Sequence, residues 1–220
     1  MPDALIVFAK TPAAGEVKTR LCPPLTPEGA AALYEAMLRD ALAAYAALGV
    51  GVRLYLAPSV RPLPDGLVPD GVSVHAQSGP DLGARMLGAF LETFSAGAER
   101  AVVIGTDHPT LPLDFVRHAF ETLEHGHSVT LGPTDDGGFY LMGLRSIHPA
   151  LFAGMRYSHP NVLADTLERA GLADLDVTLL PPWYDVDDAG GLDRLRTDLA
   201  SHPDAAPRTK VALSALGHGG

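Results

Sequence analysis

Cysteine is almost absent: one residue, Cys22, in a chain of 220, which excludes a disulfide framework and any cysteine-based zinc site. Long apolar runs are also missing. Stretches such as 4–9 and 101–104 fall far short of the roughly 20 residues a membrane-spanning helix needs. No basic segment opens the chain, and a strand pattern begins by Ala4, so no signal peptide is expected. No G-x-G-x-x-G run, G-x-x-x-x-G-K loop or G-x-S-x-G elbow occurs, which disfavours an ordinary dinucleotide-binding site, a P-loop and an α/β-hydrolase. Basic residues are few, 16 against 26 acidic ones for a net charge of −10, and such a chain repels polyanions at long range. The expectation is a cytoplasmic protein with no nucleic-acid partner and no membrane span; its oligomeric state is left open.

What is present suffices for a sizeable core. Hydrophobic residues make up 47% and charged residues 19%, so disorder of the whole chain is excluded. Short apolar runs alternate with longer amphipathic stretches, the pattern of an α/β layered sheet. Strands are expected at 4–9, 50–57, 72–76, 101–104, 128–131, 139–143 and 177–180. The first is a continuous apolar run, as suits a strand covered on both faces. Thr26-Pro27-Glu28 reads as an N-cap, a first-turn proline and an acidic first turn, opening a helix that stops at Gly49. Further helices are expected at 81–94, 112–124, 161–170 and 191–199, and a proline-punctuated loop at 58–71. One domain, 1–200, accounts for this pattern. From Ser201 the composition turns to Pro, Ala, Gly and His, which predicts a weakly ordered tail over 201–220.

Several polar motifs fall where strands end, and in open α/β sheets ligands bind there. Of only three lysines, Lys10 and Lys18 share one loop with Arg20 and Gly15. That concentration of positive charge in an acidic chain asks for a small anionic ligand, although a solvated basic loop would look the same. Asp107, in Gly105-Thr-Asp-His-Pro109, follows a buried strand; a hard oxygen donor there suits Mg²⁺, and so would a capping or turn role. Asp185 and Asp187 face the same side in extended geometry, with Asp188 available to cap the last helix. Asp81 and Gly83 open a helix whose amides favour an anion. Asp136, Gly137 and Gly138 read equally as a tight turn or as backbone passing close to a ligand. Of nine histidines only His108 stands in a motif, and none pairs with zinc spacing.

Five segments together carry a family resemblance: FAKTPAAGEVKTRL (8–21), DLGARM (81–86), GTDHP (105–109), GPTDDGGFYLMGL (132–144) and DVD (185–187). The chain resembles the bacterial DUF2064 proteins, also called radical-SAM/selenodomain-associated transferase 1 and labelled glycosyltransferases. They belong to the GT-A-like nucleotide-diphospho-sugar transferase superfamily. The resemblance implies a three-layer α/β sandwich, a mostly parallel sheet with helices on both faces. It also implies a nucleotide triphosphate or nucleotide-sugar donor, an unknown acceptor, and Mg²⁺ or Mn²⁺ as cofactor. By position, phosphate binding falls on Lys10, Gly15, Lys18 and Arg20, and the metal on Asp107 and Asp187. Asp107, Lys18 and Arg20 are then the expected catalytic set, with Asp81, Gly83, Asp136, Gly137 and Gly138 as further donor-binding candidates. Two departures stand out: the first loop lacks the Leu-Ala-Gly-Gly start of many nucleotidyltransferases, and His108 stands where the family often has cysteine. The resemblance leaves nucleotidyl and glycosyl transfer open; the basic loop, able to hold phosphates that leave as pyrophosphate, favours the former. A nucleotide-binding protein without turnover is the reading from a different class.

Overall fold

A computed structural model describes residues 2–58 and 61–216; Ser59 and Val60 of the expected loop, and 217–220 of the expected tail, lie outside the described residues. Seven strands form one sheet in the order β3-β2-β1-β4-β6-β5-β7. They are β1 Asp3–Lys10, β2 Gly51–Ala57, β3 Ser73–Ala76, β4 Arg100–Ile104, β5 Val129–Pro133, β6 Phe139–Leu144 and β7 Val177–Leu179. Only β6 runs against its neighbours, antiparallel to both β4 and β5. The α-helices are α1 Pro27–Ala46, α2 Leu82–Ser95, α3 Leu113–Glu124, α4 Val162–Leu172, α5 Ala189–Ser201 and α6 Pro207–Leu216.

Side chains alternate across the sheet, and the two faces bury separate layers. Leu5, Val7, Leu54, Leu56, Val102 and Ile104 pack with Leu38 and Leu42 of α1 and with Val116 and Phe120 of α3. On the other face, Ile6, Tyr55, Val103 and Met142 pack with Met86 and Phe90 of α2 and Ala170 of α4. The result is the three-layer sandwich. The helix starts follow the capping residues: Thr26 accepts from the Gly29 amide at 3.1 Å, and Asp188 from the Gly191 amide at 3.0 Å. No helix among the described residues is long and apolar enough to cross a membrane.

The segment expected to be a weakly ordered tail holds instead a ten-residue helix, α6. Asp40 of α1, with a side chain only 3% exposed, accepts the Arg208 and Thr209 amides at 3.2 and 2.8 Å and the Thr209 hydroxyl at 2.9 Å. With Pro207 in the first helical position, a carboxylate from another helix thus satisfies the free donors of the α6 N-terminus. Leu213 and Ala206 then join a third buried cluster with Leu33 and Met37 of α1 and Leu192 and Leu195 of α5.

Candidate active site

A cleft of about 960 Å³ opens at the carboxyl ends of β1 and β4. Strand β1 delivers Lys10 to its rim. The loop that follows turns back through Lys18, a lysine in the left-handed region (φ 48°, ψ 36°), into a short 3₁₀ turn at Thr19–Leu21. The Tyr34 hydroxyl of α1 anchors this loop from below, accepting the Lys10 amide at 2.9 Å and lying 3.4 Å from the Thr106 hydroxyl beyond β4. The segment around Asp187 is brought in by one main-chain bond, the Val186 amide donating to the Asp107 carbonyl at 2.8 Å.

These supports place the charges. The Lys18 ammonium pairs with Asp107 and, at 2.8 Å, with Asp187. Arg20 donates to the other Asp187 oxygen at 3.0 Å. Lys18 has a side chain only 4% exposed, whereas that of Asp107 is 41% exposed. Burial works against the charge on Lys18, but the two carboxylates override it and hold its pKa above the ordinary 10.5. Confinement likewise opposes the Asp107 charge, and the Lys18 ammonium overrides it, leaving the carboxyl below its ordinary 3.8. Lys10 makes no ion pair among the described residues.

Asp107 and Asp187 thus reach a common point, and their oxygens are hard donors. Among the described residues no group of three or more His, Cys, Asp or Glu side chains gathers to hold a metal. Two carboxylates fit Mg²⁺, which usually takes one or two carboxylates and completes its shell with water and substrate phosphate; they do not make an all-protein cage.

The other sequence candidates divide. Asp136 and Gly138 line the cleft, within a tight turn that joins β5 to β6. The Asp136 carboxylate accepts the Thr134 hydroxyl at 2.5 Å and the Gly138 amide at 3.1 Å. Gly137 does not line the cleft. It adopts φ +87°, and a Cβ there would run into the Pro160 carbonyl. Gly15 is also off the wall, at φ +76°, where the turn needs a residue free of Cβ strain. Asp81 caps α2 by accepting the Ala84 amide at 2.8 Å. Gly83 admits the Tyr157 ring and the Phe152 carbonyl, each within about 3.1 Å of where a Cβ would stand. These three glycines and Asp81 shape the walls without facing the cleft.

The cleft also draws on residues that are not among the sequence candidates for the site. Gln77 donates to the Ala9 and Tyr55 carbonyls at 3.2 and 3.0 Å, tying the ends of β1 and β2. Arg85 of α2, Tyr157, His159 and Tyr140 complete the lining. Burial raises the Tyr157 pKa to about 12. His108 is buried, with Nδ1 3.3 Å from Asp185, its ring against Tyr140 and no partner at Nε2. A tyrosine in a helix interior and a lone glutamine carry no sequence signal, because only the tertiary arrangement brings them to the strand ends.

A sequence profile described as "Uncharacterized protein conserved in bacteria (DUF2064)" matches residues 38–159. A crystal structure from Desulfovibrio desulfuricans G20, assigned as a nucleotide-diphospho-sugar transferase, is 34% identical with a TM-score of 0.89, over 97% of this chain and 94% of that one. A CMP:2-keto-3-deoxy-manno-octonic acid synthetase complexed with CTP shares the fold at a TM-score of 0.57 and 12% identity, over 92% of this chain and 100% of that one. So does the 2-C-methyl-D-erythritol 4-phosphate cytidylyltransferase of Thermus thermophilus, at 0.52 and 16% identity, over 90% and 98%. No curated protein matches the chain.

Proposed function

The chain belongs to the DUF2064 family, and we propose that it is a Mg²⁺- or Mn²⁺-dependent transferase using a nucleoside triphosphate or a nucleotide sugar as donor. One observation carries this reading: Lys10, Lys18 and Arg20 stand at the end of β1, against a pair of carboxylates that reach a single point. Cations beside metal-fitting oxygens at one strand end suit a metal-complexed diphosphate. The likeness to a protein assigned as a nucleotide-diphospho-sugar transferase supports the same class of donor.

In this reading Lys10, Lys18 and Arg20 bind the donor phosphates and neutralise the charge that develops on the departing group. Asp107 and Asp187 hold the metal, which supplies Lewis-acid polarisation of phosphate oxygens when bound. Three basic side chains suit pyrophosphate as the leaving group, so nucleotidyl transfer is favoured: an acceptor oxygen attacks the α-phosphorus, and the bond to the β-phosphate oxygen breaks. Glycosyl transfer, with a nucleoside diphosphate leaving from the same place, is the second reading, favoured by the assignment of the 34% identical structure. The test is a thermal-shift panel of nucleoside triphosphates and nucleotide sugars, with and without Mg²⁺, followed by product analysis of any binder. A ligand at 100 times its Kd should add about 2.7 kcal/mol of stability. No Mg²⁺-enhanced shift with any member of the panel would refute the reading.

A further inference from the structure

The cation position between Asp107 and Asp187 already holds a charge. In the free protein it is taken by the Lys18 ammonium, which pairs with both carboxylates and has a side chain only 4% exposed. Arg20 is different: its side chain is 73% exposed, and it touches only the outer oxygen of Asp187. Lys10 is different again, with no ion pair at the cleft rim among the described residues. Of the three cations Lys18 alone is sequestered, and it is sequestered where a metal fits.

Building on the phosphate-and-metal reading above, we propose that Lys18 is an internal counter-ion. It fills the cation position between Asp107 and Asp187 in the free protein and gives it up when a diphosphate arrives to receive the ammonium, so the site takes metal and diphosphate as one unit rather than a free metal ion. The charges dictate the coupling. Two carboxylates are balanced by Lys18 and Arg20 without any ligand. A divalent ion entering alone must evict a nearly buried ammonium and leave it close to a like charge, in surroundings that screen poorly. When a diphosphate enters with the ion, the evicted ammonium exchanges two carboxylates for phosphate oxygens and loses no partner. Each ligand then raises the affinity for the other by the same factor.

The deciding measurement uses Mn²⁺ alone, followed by electron paramagnetic resonance, on wild type, Lys18→Met and Lys18→Arg, with circular dichroism to confirm folding. Lys18→Met keeps the apolar stem and removes the competing charge, so free Mn²⁺ should bind about tenfold tighter or better than to wild type. Lys18→Arg keeps a cation and should stay close to wild type. Equal Mn²⁺ affinity in wild type and Lys18→Met would overturn the proposal. A wild-type experiment needs no variant: acylation of Lys18, read by mass spectrometry against Lys10 and Lys210 in the same chain. It should be slow without metal and accelerate only at the Mn²⁺ concentrations that fill the wild-type site by electron paramagnetic resonance; a filled site with Lys18 still slow would overturn the proposal. Neither readout involves a nucleotide. A gain of Mn²⁺ affinity in Lys18→Met with no nucleotide bound by wild type would support the counter-ion while refuting the transferase reading. Nucleotide binding without that gain would do the reverse.

Discussion

Replacing Asp40 with alanine should release α6 from the body of the protein. The carboxylate is 3% exposed and accepts two backbone amides and one hydroxyl from the first turn of α6. Hydrogen bonds to a charged group contribute about 1.5–3 kcal/mol each, and each donor left buried without a partner costs a further 1–3 kcal/mol or so. Their sum overstates the loss, because the helix can detach and let water satisfy its amides. The bound is then what docking contributes, chiefly burial of Leu213, about 1.5–3 kcal/mol, together with the charge-assisted bonds. A net loss of about 3 kcal/mol follows, which for a chain of this size lowers Tm by roughly 6–12 °C. Hydrogen exchange should locate it: amides at 207–216 should lose protection while those of β1 and β4 exchange as in wild type. Asp40→Asn should fall between, since its oxygen can still accept from Thr209 while its amide meets the Arg208 donor head-on. A variant Asp40→Ala with unchanged Tm and a protected α6 would refute the account.

Asp107→Asn should lower transfer by about 10²–10³, with metal-free nucleotide binding, measured separately by calorimetry, much less affected; equal turnover would remove Asp107 from the mechanism. Lys18→Ala should weaken nucleotide binding by about 1.5–3 kcal/mol through loss of a charge-assisted contact, and unchanged affinity would leave Lys18 as a structural counter-ion to Asp107 and Asp187 only. The Lys18 pKa is raised above 10.5 in the folded protein, so its stabilisation is complete below pH 10.5 and is lost as pH climbs through the higher folded value. Asp107 shifts the other way, below 3.8, and its contribution fades as pH falls through that lower value; denaturation of wild type and Lys18→Met across pH should show the gap closing at both extremes. Gly137→Ala should destabilise by more than about 2 kcal/mol, since a left-handed backbone alone costs about 1–2 kcal/mol and the new methyl meets the Pro160 carbonyl; urea unfolding checks it.

Local signals are legible wherever local physics decides. The apolar run of β1 predicts a strand covered on both faces, and Leu5, Ile6 and Val7 are fully buried. Thr26-Pro27 and Asp188 mark helix starts, and both side chains cap. The expected tail fails for the opposite reason. Its composition resembles a disordered end, and what orders it is Asp40, 168 positions away from Arg208, which no window of sequence contains. Glycines are ambiguous in a consistent way. Gly15 and Gly83 read as places where an anion approaches and Gly137 as either a tight turn or a ligand contact; in the structure two adopt a positive φ and two make room for protein atoms, with Gly137 doing both. A motif records that a side chain must be absent, not what takes its place. The pairing of Lys18 with two aspartates is equally illegible, since it depends on the bond from Val186 to Asp107 across the cleft.

The acidity of the chain and the closure of its basic loop belong to one argument. With a net charge of −10, the protein repels free polyanions at long range, so an anion site must carry its own cations. The buried one among them, Lys18, needs partners while no ligand is bound, because a buried ammonium without one is costly. Arg20 meets Asp187 and Lys18 meets Asp187 and Asp107, while Lys10 makes no ion pair among the described residues. Loop and strand ends therefore neutralise each other at rest. A ligand that brings only negative charge offers partners to Lys18 and Arg20 but strips them from Asp107 and Asp187. One that brings only positive charge does the converse. On the proposed function, a metal-complexed diphosphate would restore both sets of partners at once and carry less net charge through the repelling field. The pairing of Lys18 and Arg20 with the two carboxylates would then select among ligands by charge distribution.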